Sequence, residues 1–116
     1  MNKKESAIFD QLIELSHRLG EPARDLVILG DGNTSARVDE DTFWVKASGA
    51  YLHQISPAGF TKMYLPRLLE MIDTNTRTDG EIMQGFASAK VDPSAPHPSI
   101  ETLLHALAYS LCNAAF

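Results

Sequence analysis

The chain contains very little cysteine, since Cys112 is its single one. One cysteine cannot form an internal disulfide, and no CxxC pair is available for a redox or zinc-knuckle site. Long apolar runs are lacking too: a run such as residues 106–108 is far too short to cross a bilayer. The sequence therefore predicts neither a disulfide scaffold nor a membrane partner.

Basic residues are also scarce. Ten Lys and Arg stand against fifteen Asp and Glu, which gives a formal net charge of −5, and no basic cluster is longer than Lys3 and Lys4. A nucleic-acid partner is not expected without a basic patch. Asp10 and Glu14 interrupt the stretch where a signal peptide would be apolar, so we expect a cytoplasmic chain.

The composition that is present fits an ordinary globular domain. The chain has 116 residues, of which 44% are hydrophobic and 22% charged. This length allows at most one domain, and this composition supplies enough apolar side chains for a core. Disordered, collagen-like and coiled-coil classes are excluded by the same numbers.

The first half of the chain shows a helix followed by strand patterns. Apolar residues spaced by four, three and four predict an amphipathic helix over residues 5–19, and Gly20 ends it. They are Ile8, Leu12, Leu15 and Leu19. A strand is predicted at residues 26–29, leading into a glycine-rich loop, and residues 35–38 and 42–46 predict a β-hairpin.

The second half predicts one further strand and three helices. The strand covers residues 60–64, Pro66 begins a helix, and Asp79 caps another. Residues 91–98 carry three prolines and form a loop. Ser99 is predicted to cap a last, core-facing helix whose apolar stripe is Ile100, Leu104, Leu107 and Leu111.

Three short polar segments are candidates for anion binding. Gly32, Asn33, Thr34 and Ser35 offer small hydrogen-bonding groups, although the segment taken alone is typical of a plain turn. Ser48 and Gly49 are a turn by default. The segment 98–101 opens a helix whose positive end can hold an anion, and its simpler interpretation is an N-cap followed by an acid that complements the helix dipole.

A carboxylate and an imidazole share one face of the last helix. Glu101 and His105 lie four residues apart, and such a pair could transfer a proton. The other histidines, His17, His53 and His97, show neither a His-x-His pair nor an HExxH motif, so no zinc site is predicted within the chain. Cys112 is interpreted as a small buried hydrophobe.

Taken in order, the three segments resemble the N-terminal half of the class II aldolase/adducin family. The similarity covers residues 6–116 and is carried by Gly-Asn-Thr-Ser, Lys-Ala-Ser-Gly and Pro-Ser-Ile-Glu. The first helix and the segment Phe-Trp-Val-Lys-Ala-Ser-Gly look most like the aldolase portion of the rhamnulose-phosphate aldolase/alcohol dehydrogenase type. The resemblance implies an α/β fold with α/β/α layers around a mainly antiparallel sheet.

The resemblance also implies roles for individual residues. A substrate phosphate would be bound by Gly32, Asn33, Thr34, Ser48, Gly49 and Ser99. Glu101 would lie beside the metal and move the proton of the enediol intermediate, with a pKa raised by its environment. The resemblance leaves aldol cleavage and epimerisation both open and names no particular sugar.

The chain departs from the family where the metal is bound. Family members hold zinc through a His-x-His pair on the strand after this helix and through a later histidine, and none of the four histidines here stands at those positions. We therefore expect residues 1–116 to be one partial domain, truncated after the helix that carries Glu101. Zinc is expected for the full-length enzyme and no cofactor for this chain.

Two main hypotheses follow for its function. In the first, the chain is part of a zinc-dependent aldolase that cleaves a ketose 1-phosphate to dihydroxyacetone phosphate and an aldehyde, and it is silent without the missing part. In the second, it is an adducin-like interaction or oligomerisation module without enzyme activity. Both predict a homo-oligomer, because missing strands leave apolar surface to be covered. A nucleotide-binding module is a weaker, third hypothesis.

Overall fold

A three-stranded antiparallel sheet lies at the centre of the computed structural model, which describes residues 1–21, 32–74 and 78–116. Its strands β1 (Ser35–Arg37), β2 (Thr42–Lys46) and β3 (Phe60–Tyr64) lie side by side in chain order. The predicted hairpin and the strand after it are confirmed. The strand predicted at residues 26–29 and the first two residues of the glycine-rich loop lie outside the described residues.

The described residues form four α-helices. They are α1 (Lys3–Gly20), α2 (Leu65–Asp73), α3 (Asp79–Ala89) and α4 (Thr102–Leu111). Two short 3₁₀ turns, Leu52–Gln54 and Pro57–Gly59, precede β3. Within the described ranges, none of the helices combines the length and the apolar character needed to span a bilayer.

The alternation of side chains along β2 separates two hydrophobic clusters. Phe43 and Val45 are buried against α2, α3 and α4, whereas Trp44 points to the other face, where Phe9 of α1 stacks on its ring at 4.5 Å. Successive residues of a strand face opposite sides of a sheet, so a single strand contributes to both clusters. Helices therefore cover both faces, and the expected α/β/α layering is confirmed.

Two helices differ in detail from their predictions. The buried face of α1 runs through Glu5, Phe9, Leu12, Ser16 and Gly20, so only Leu12 of the predicted stripe lies at its centre. Helix α3 is capped by Thr78 and not by Asp79: the Thr78 hydroxyl accepts a hydrogen bond from the Glu81 backbone N–H. A hydroxyl one residue earlier reaches the free N–H groups of the first turn.

The last helix packs with a different face from the predicted one. Thr102, Ala106 and Tyr109 are buried, while the predicted stripe of Ile100, Leu104, Leu107 and Leu111 is between 40% and 81% exposed. Small side chains and a tyrosine that finds a hydrogen-bond partner allow close packing on the sheet. Cys112 is exposed as well, which corrects its interpretation as a buried hydrophobe.

The last residue of α1 requires glycine because another backbone approaches it closely. A Cβ at Gly20 would collide with the His53 backbone nitrogen and lie 2.7 Å from the Leu52 Cβ. We expect Gly20→Ala to lower the free energy of unfolding by about 1–3 kcal/mol through overpacking. Gly80→Ala meets open space in α3 and is expected to raise it by about 0.5–1 kcal/mol. Urea denaturation of both variants checks this contrast.

Candidate functional site

The three predicted polar segments meet at the end of β2. The Lys46 backbone N–H donates to the Thr34 carbonyl at 3.1 Å, and the Lys46 carbonyl accepts from the Ser99 N–H at 3.0 Å. One step further along, Ala47 forms an antiparallel bridge with Pro98, and the Ser48 N–H donates to the His97 carbonyl. Segments far apart in sequence are thus joined by backbone hydrogen bonds at one residue.

Side chains close the same junction. The Asn33 amide Nδ2 donates to the Ser99 hydroxyl and, at 3.0 Å, to Oε2 of Glu101. The Asn33 Oδ1 is buried and has no hydrogen-bond partner among the described residues. The structure therefore brings Asn33, Ser99 and Glu101 together, and it leaves one buried acceptor beside them.

Both glycines of the site adopt a left-handed backbone conformation. Gly32 has a φ of 90° and Gly49 a φ of 82°, values at which a side chain would be strained. The Ser48 and Gly49 turn is exposed, and a Cβ at Gly49 would meet nothing. Backbone conformation, and not lack of space, accounts for glycine at position 49.

Thr34 faces away from the other site residues. It is buried, and its hydroxyl lies 2.6 Å from the Ser16 hydroxyl of α1, which in turn donates to the Leu12 carbonyl. Thr34 therefore anchors the loop to α1, and its side chain is already engaged. The hydroxyl of this predicted phosphate ligand is thus bonded to Ser16 of α1.

Ser99 does not cap α4, which corrects the sequence prediction. The N-cap is Glu101, and Ser99 instead receives hydrogen bonds on its carbonyl from the Thr102 N–H and, at 2.7 Å, from the Thr102 hydroxyl. Pairing of Ser99 with Lys46 holds it in line with the sheet, so the helix starts later. Its hydroxyl is thereby turned to Asn33 and to the Glu101 carboxylate, and it does not cap the helix.

The pKa of Glu101 is lowered, which contradicts the expectation that its environment raises it. Burial by itself raises the pKa of this carboxyl, but hydrogen bonds from its own backbone N–H, from Asn33 and from Ser99 stabilise the carboxylate, as does the charge of Lys46. The net effect lowers the pKa below 4.5. Glu101 is therefore ionised at neutral pH and available as a proton acceptor.

Lys46 belongs to the site, although it was not among the site residues predicted from the sequence. Its side chain is 3% exposed, its Nζ lies 3.4 Å from the Ala47 carbonyl, and its charge acts on Glu101. Lysine is rarely buried to this degree unless paired. A lysine at the buried end of the strand Thr42–Lys46 could have indicated the site.

A hydrogen-bonded group of three side chains, of which only Tyr109 was not a candidate from the sequence, links β1 to α4. The Ser35 hydroxyl lies 2.6 Å from Nδ1 of His105 and 2.6 Å from the Tyr109 hydroxyl. Burial lowers the pKa of His105, although the charge of Glu101 acts in the opposite direction. His105 is thus neutral at pH 7. The spacing 101, 105, 109 places all three residues along one side of the helix.

The residues present do not make a zinc site. No group of three or more His, Cys, Asp and Glu side chains that could hold a metal exists in the described ranges. Glu101 and His105 offer one carboxylate and one imidazole, and Nδ1 of that imidazole is engaged with Ser35. Zinc takes at least three protein ligands, so these two side chains alone do not complete a zinc site.

Comparison with known proteins identifies the family of the chain. The model of the "Class II Aldolase and Adducin N-terminal domain" matches residues 10–115. The chain belongs to the class II aldolase/adducin family. Class II aldolases are generally metal-dependent, and the site described above supplies no complete metal site of its own.

Two relatives illustrate the match to this family. "Uncharacterized oxidoreductase YuxG" of Bacillus subtilis (strain 168) is 31% identical over 105 residues, which covers 84% of this chain and 15% of that protein. A solved N-terminal class II aldolase domain of a conserved protein from Thermoplasma acidophilum is 32% identical, with a TM-score of 0.73. The alignment covers 84% of this chain and 49% of the solved chain, so the chain spans less than half of each relative.

Protonation of His105 is expected to destabilise the aldolase-family fold. Its pKa is lowered from 6.5 in the folded state, so as the pH falls through about 6.5 the unfolded chain takes up the proton first. The contribution of His105 to the free energy of unfolding is constant well above this pH and declines below it. Urea midpoints between about pH 7.5 and pH 5 should fall less steeply for His105→Gln than for the parent chain. Equal slopes would mean that His105 is not the group responsible.

Proposed function

We propose that the chain supplies the phosphate-binding half of a class II aldolase that acts on a ketose 1-phosphate. In this proposal the phosphate is bound by Gly32, Asn33, Ser48, Gly49, Ser99 and the backbone of Thr34, whose hydroxyl is engaged with Ser16, and Glu101 transfers the proton. The observation that carries the proposal is the junction at Lys46, which joins Thr34 and Ser99 through the backbone and places Asn33 against Glu101. Family membership supports the same assignment.

The junction has the features of an anion site. Left-handed glycines bring backbone N–H groups close to a ligand, and the exposed Ser48 hydroxyl is a short neutral donor, whereas the Ser99 hydroxyl already donates to Glu101. The N-terminus of α4 follows directly after Glu101 and contributes its positive dipole end. The buried charge of Lys46 offsets the repulsion that the Glu101 carboxylate exerts on a phosphate.

Glu101 is suited to accept a proton from the substrate. Its carboxylate is ionised at neutral pH because Asn33, Ser99 and Lys46 stabilise the charge. A base that is already deprotonated can remove a proton next to a carbonyl, and hydrogen bonds to Asn33 and Ser99 hold it in one place. Metal chemistry requires residues that the described chain does not contain, so we expect phosphate binding without cleavage.

The activity in the name of the Bacillus relative is not assigned to this chain. "Oxidoreductase" describes a protein of which the alignment covers 15%. Our proposal for this chain therefore rests on the aldolase family and on the junction alone.

Replacing single site residues tests the phosphate assignment. Asn33→Ala and Ser99→Ala are each expected to weaken binding of dihydroxyacetone phosphate about 10- to 100-fold, because a hydrogen bond to a charged group contributes about 1.5–3 kcal/mol. Amide shifts in a ¹H–¹⁵N NMR titration of the labelled chain measure the affinity.

Exposed residues of the same types provide controls. Ser56→Ala and Asn113→Ala lie outside the junction and should leave the affinity unchanged. Inorganic phosphate should compete with dihydroxyacetone phosphate at the same amides. Unchanged affinity in both site variants, or no binding by the parent chain, overturns the pocket assignment.

We also propose that the chain associates with a second copy through the exposed face of α4. Three large apolar residues lie on this face, Leu104, Leu107 and Leu111, and exposed Ile100 lies just before the helix. Contiguous exposed apolar surface of this kind marks interaction sites in soluble proteins. This observation favours the adducin-like role, an interaction module, as a second function of the same fold.

A charge on this face should prevent the association. Sedimentation velocity of the parent chain is expected to show a dimer or larger species, and Leu104→Glu is expected to shift it to monomer by at least a tenfold loss of affinity, since a buried unpaired charge costs several kcal/mol. Met83→Glu alters another exposed apolar residue, on α3, and serves as the control. A monomeric parent chain at all concentrations contradicts the proposal.

A further inference from the structure

One buried hydroxyl connects the start of β1 to the middle of α4. Ser35 is 3% exposed, and its Oγ contacts both Nδ1 of His105 and the hydroxyl of Tyr109 at 2.6 Å. The two partners lie four residues apart, so they face β1 from successive turns of the helix. Arg37 adds a second link at the other end of β1, where its guanidinium donates to the Tyr109 carbonyl.

The number of available hydrogens indicates which group donates in each of these hydrogen bonds. Ser35 and Tyr109 carry one hydroxyl hydrogen each, and burial raises the pKa of Tyr109, so it keeps its proton. If Tyr109 donates to Ser35 and Ser35 donates to Nδ1 of His105, both hydroxyl hydrogens are used. In the reverse direction the Tyr109 hydrogen has no acceptor among the described residues. The first arrangement requires a neutral His105 with its proton on Nε2.

Asn33 lies two residues before the start of β1. Ser35 and Asn33 are two residues apart, so both face α4, while Thr34 between them faces Ser16 of α1. Asn33 contacts Glu101, which lies one turn before His105 on α4. Asn33, Thr34 and His105 also line one cavity of about 260 Å³.

We propose that Ser35 is a positioning residue of the candidate site. Its hydroxyl fixes the start of β1 against α4, so that Asn33 lies on Ser99 and Glu101, and it holds His105 as the tautomer protonated on Nε2. This inference rests on the proposed function for its consequence in phosphate binding. The hydrogen-bond chain itself is independent of any ligand.

The tautomer of His105 is measured directly in the full chain. A long-range ¹H–¹⁵N spectrum at neutral pH is expected to show Nδ1 of His105 as an unprotonated, hydrogen-bond-accepting nitrogen and Nε2 as the protonated one. A protonated Nδ1 in the parent chain overturns the assigned direction. This readout needs no ligand, so it remains decisive even where phosphate binding fails.

Variants of Ser35 separate positioning from general stability. Ser35→Ala is expected to shift the Asn33 side-chain amide resonances, to change the His105 signature and to weaken dihydroxyacetone phosphate binding about three- to tenfold. Ser35→Thr keeps the hydroxyl and should restore all three. Thr42→Ala removes another buried hydroxyl of the hairpin, one that bonds Asp39, and should change none of them.

The outcomes distinguish the two proposals. A folded Ser35→Ala chain with unchanged Asn33 amide resonances overturns the positioning role. If the parent chain binds no phosphate but the amide resonances and the His105 signature change as expected, the proposed function fails and the positioning role stands. Should Ser35→Ala not fold, Tyr109→Phe keeps the ring that packs near Phe43 and must still alter the His105 signature.

Discussion

The pairing of one backbone residue with two distant segments determines the rest of the site. Lys46 donates to Thr34 and accepts from Ser99, so the end of β2 is shared between the start of β1 and the segment before α4. Backbone hydrogen bonds constrain these segments more tightly than exposed side-chain contacts do, because a buried unpaired N–H or carbonyl is costly. Each candidate loop therefore has a fixed neighbour before any ligand binds.

Side-chain alternation then decides what each residue of the first loop can do. Thr34 faces α1 and is bonded to Ser16, whereas Asn33 and Ser35 face α4. A shift by one residue would bury the Asn33 amide among the apolar residues of the α1 face and remove it from Glu101. The period of two along this short strand is thus a functional constraint as well as a packing rule.

Much of this arrangement follows from the sequence. The hairpin, β3 and all four described helices were predicted, because turn residues and apolar spacing are local properties of the chain. The approach of Asn33 to Ser99 and Glu101 was indicated only by family resemblance, since pairing across 66 residues has no local pattern. Ser35 and His105 were candidates from the sequence, but their contact with each other and with Tyr109 was not predicted, for the same reason.

Periodicity in α4 shows why a pattern does not fix a buried face. Leu104, Leu107 and Leu111 share one exposed side of the helix, yet Thr102, Ala106 and Tyr109 pack on the sheet. The packed side has small residues that allow close approach, and its tyrosine and histidine find a hydroxyl on β1. A helix with apolar residues on two sides needs two partners. In α4 the first partner is the sheet, which places Glu101 at the junction, and the second side stays available for association.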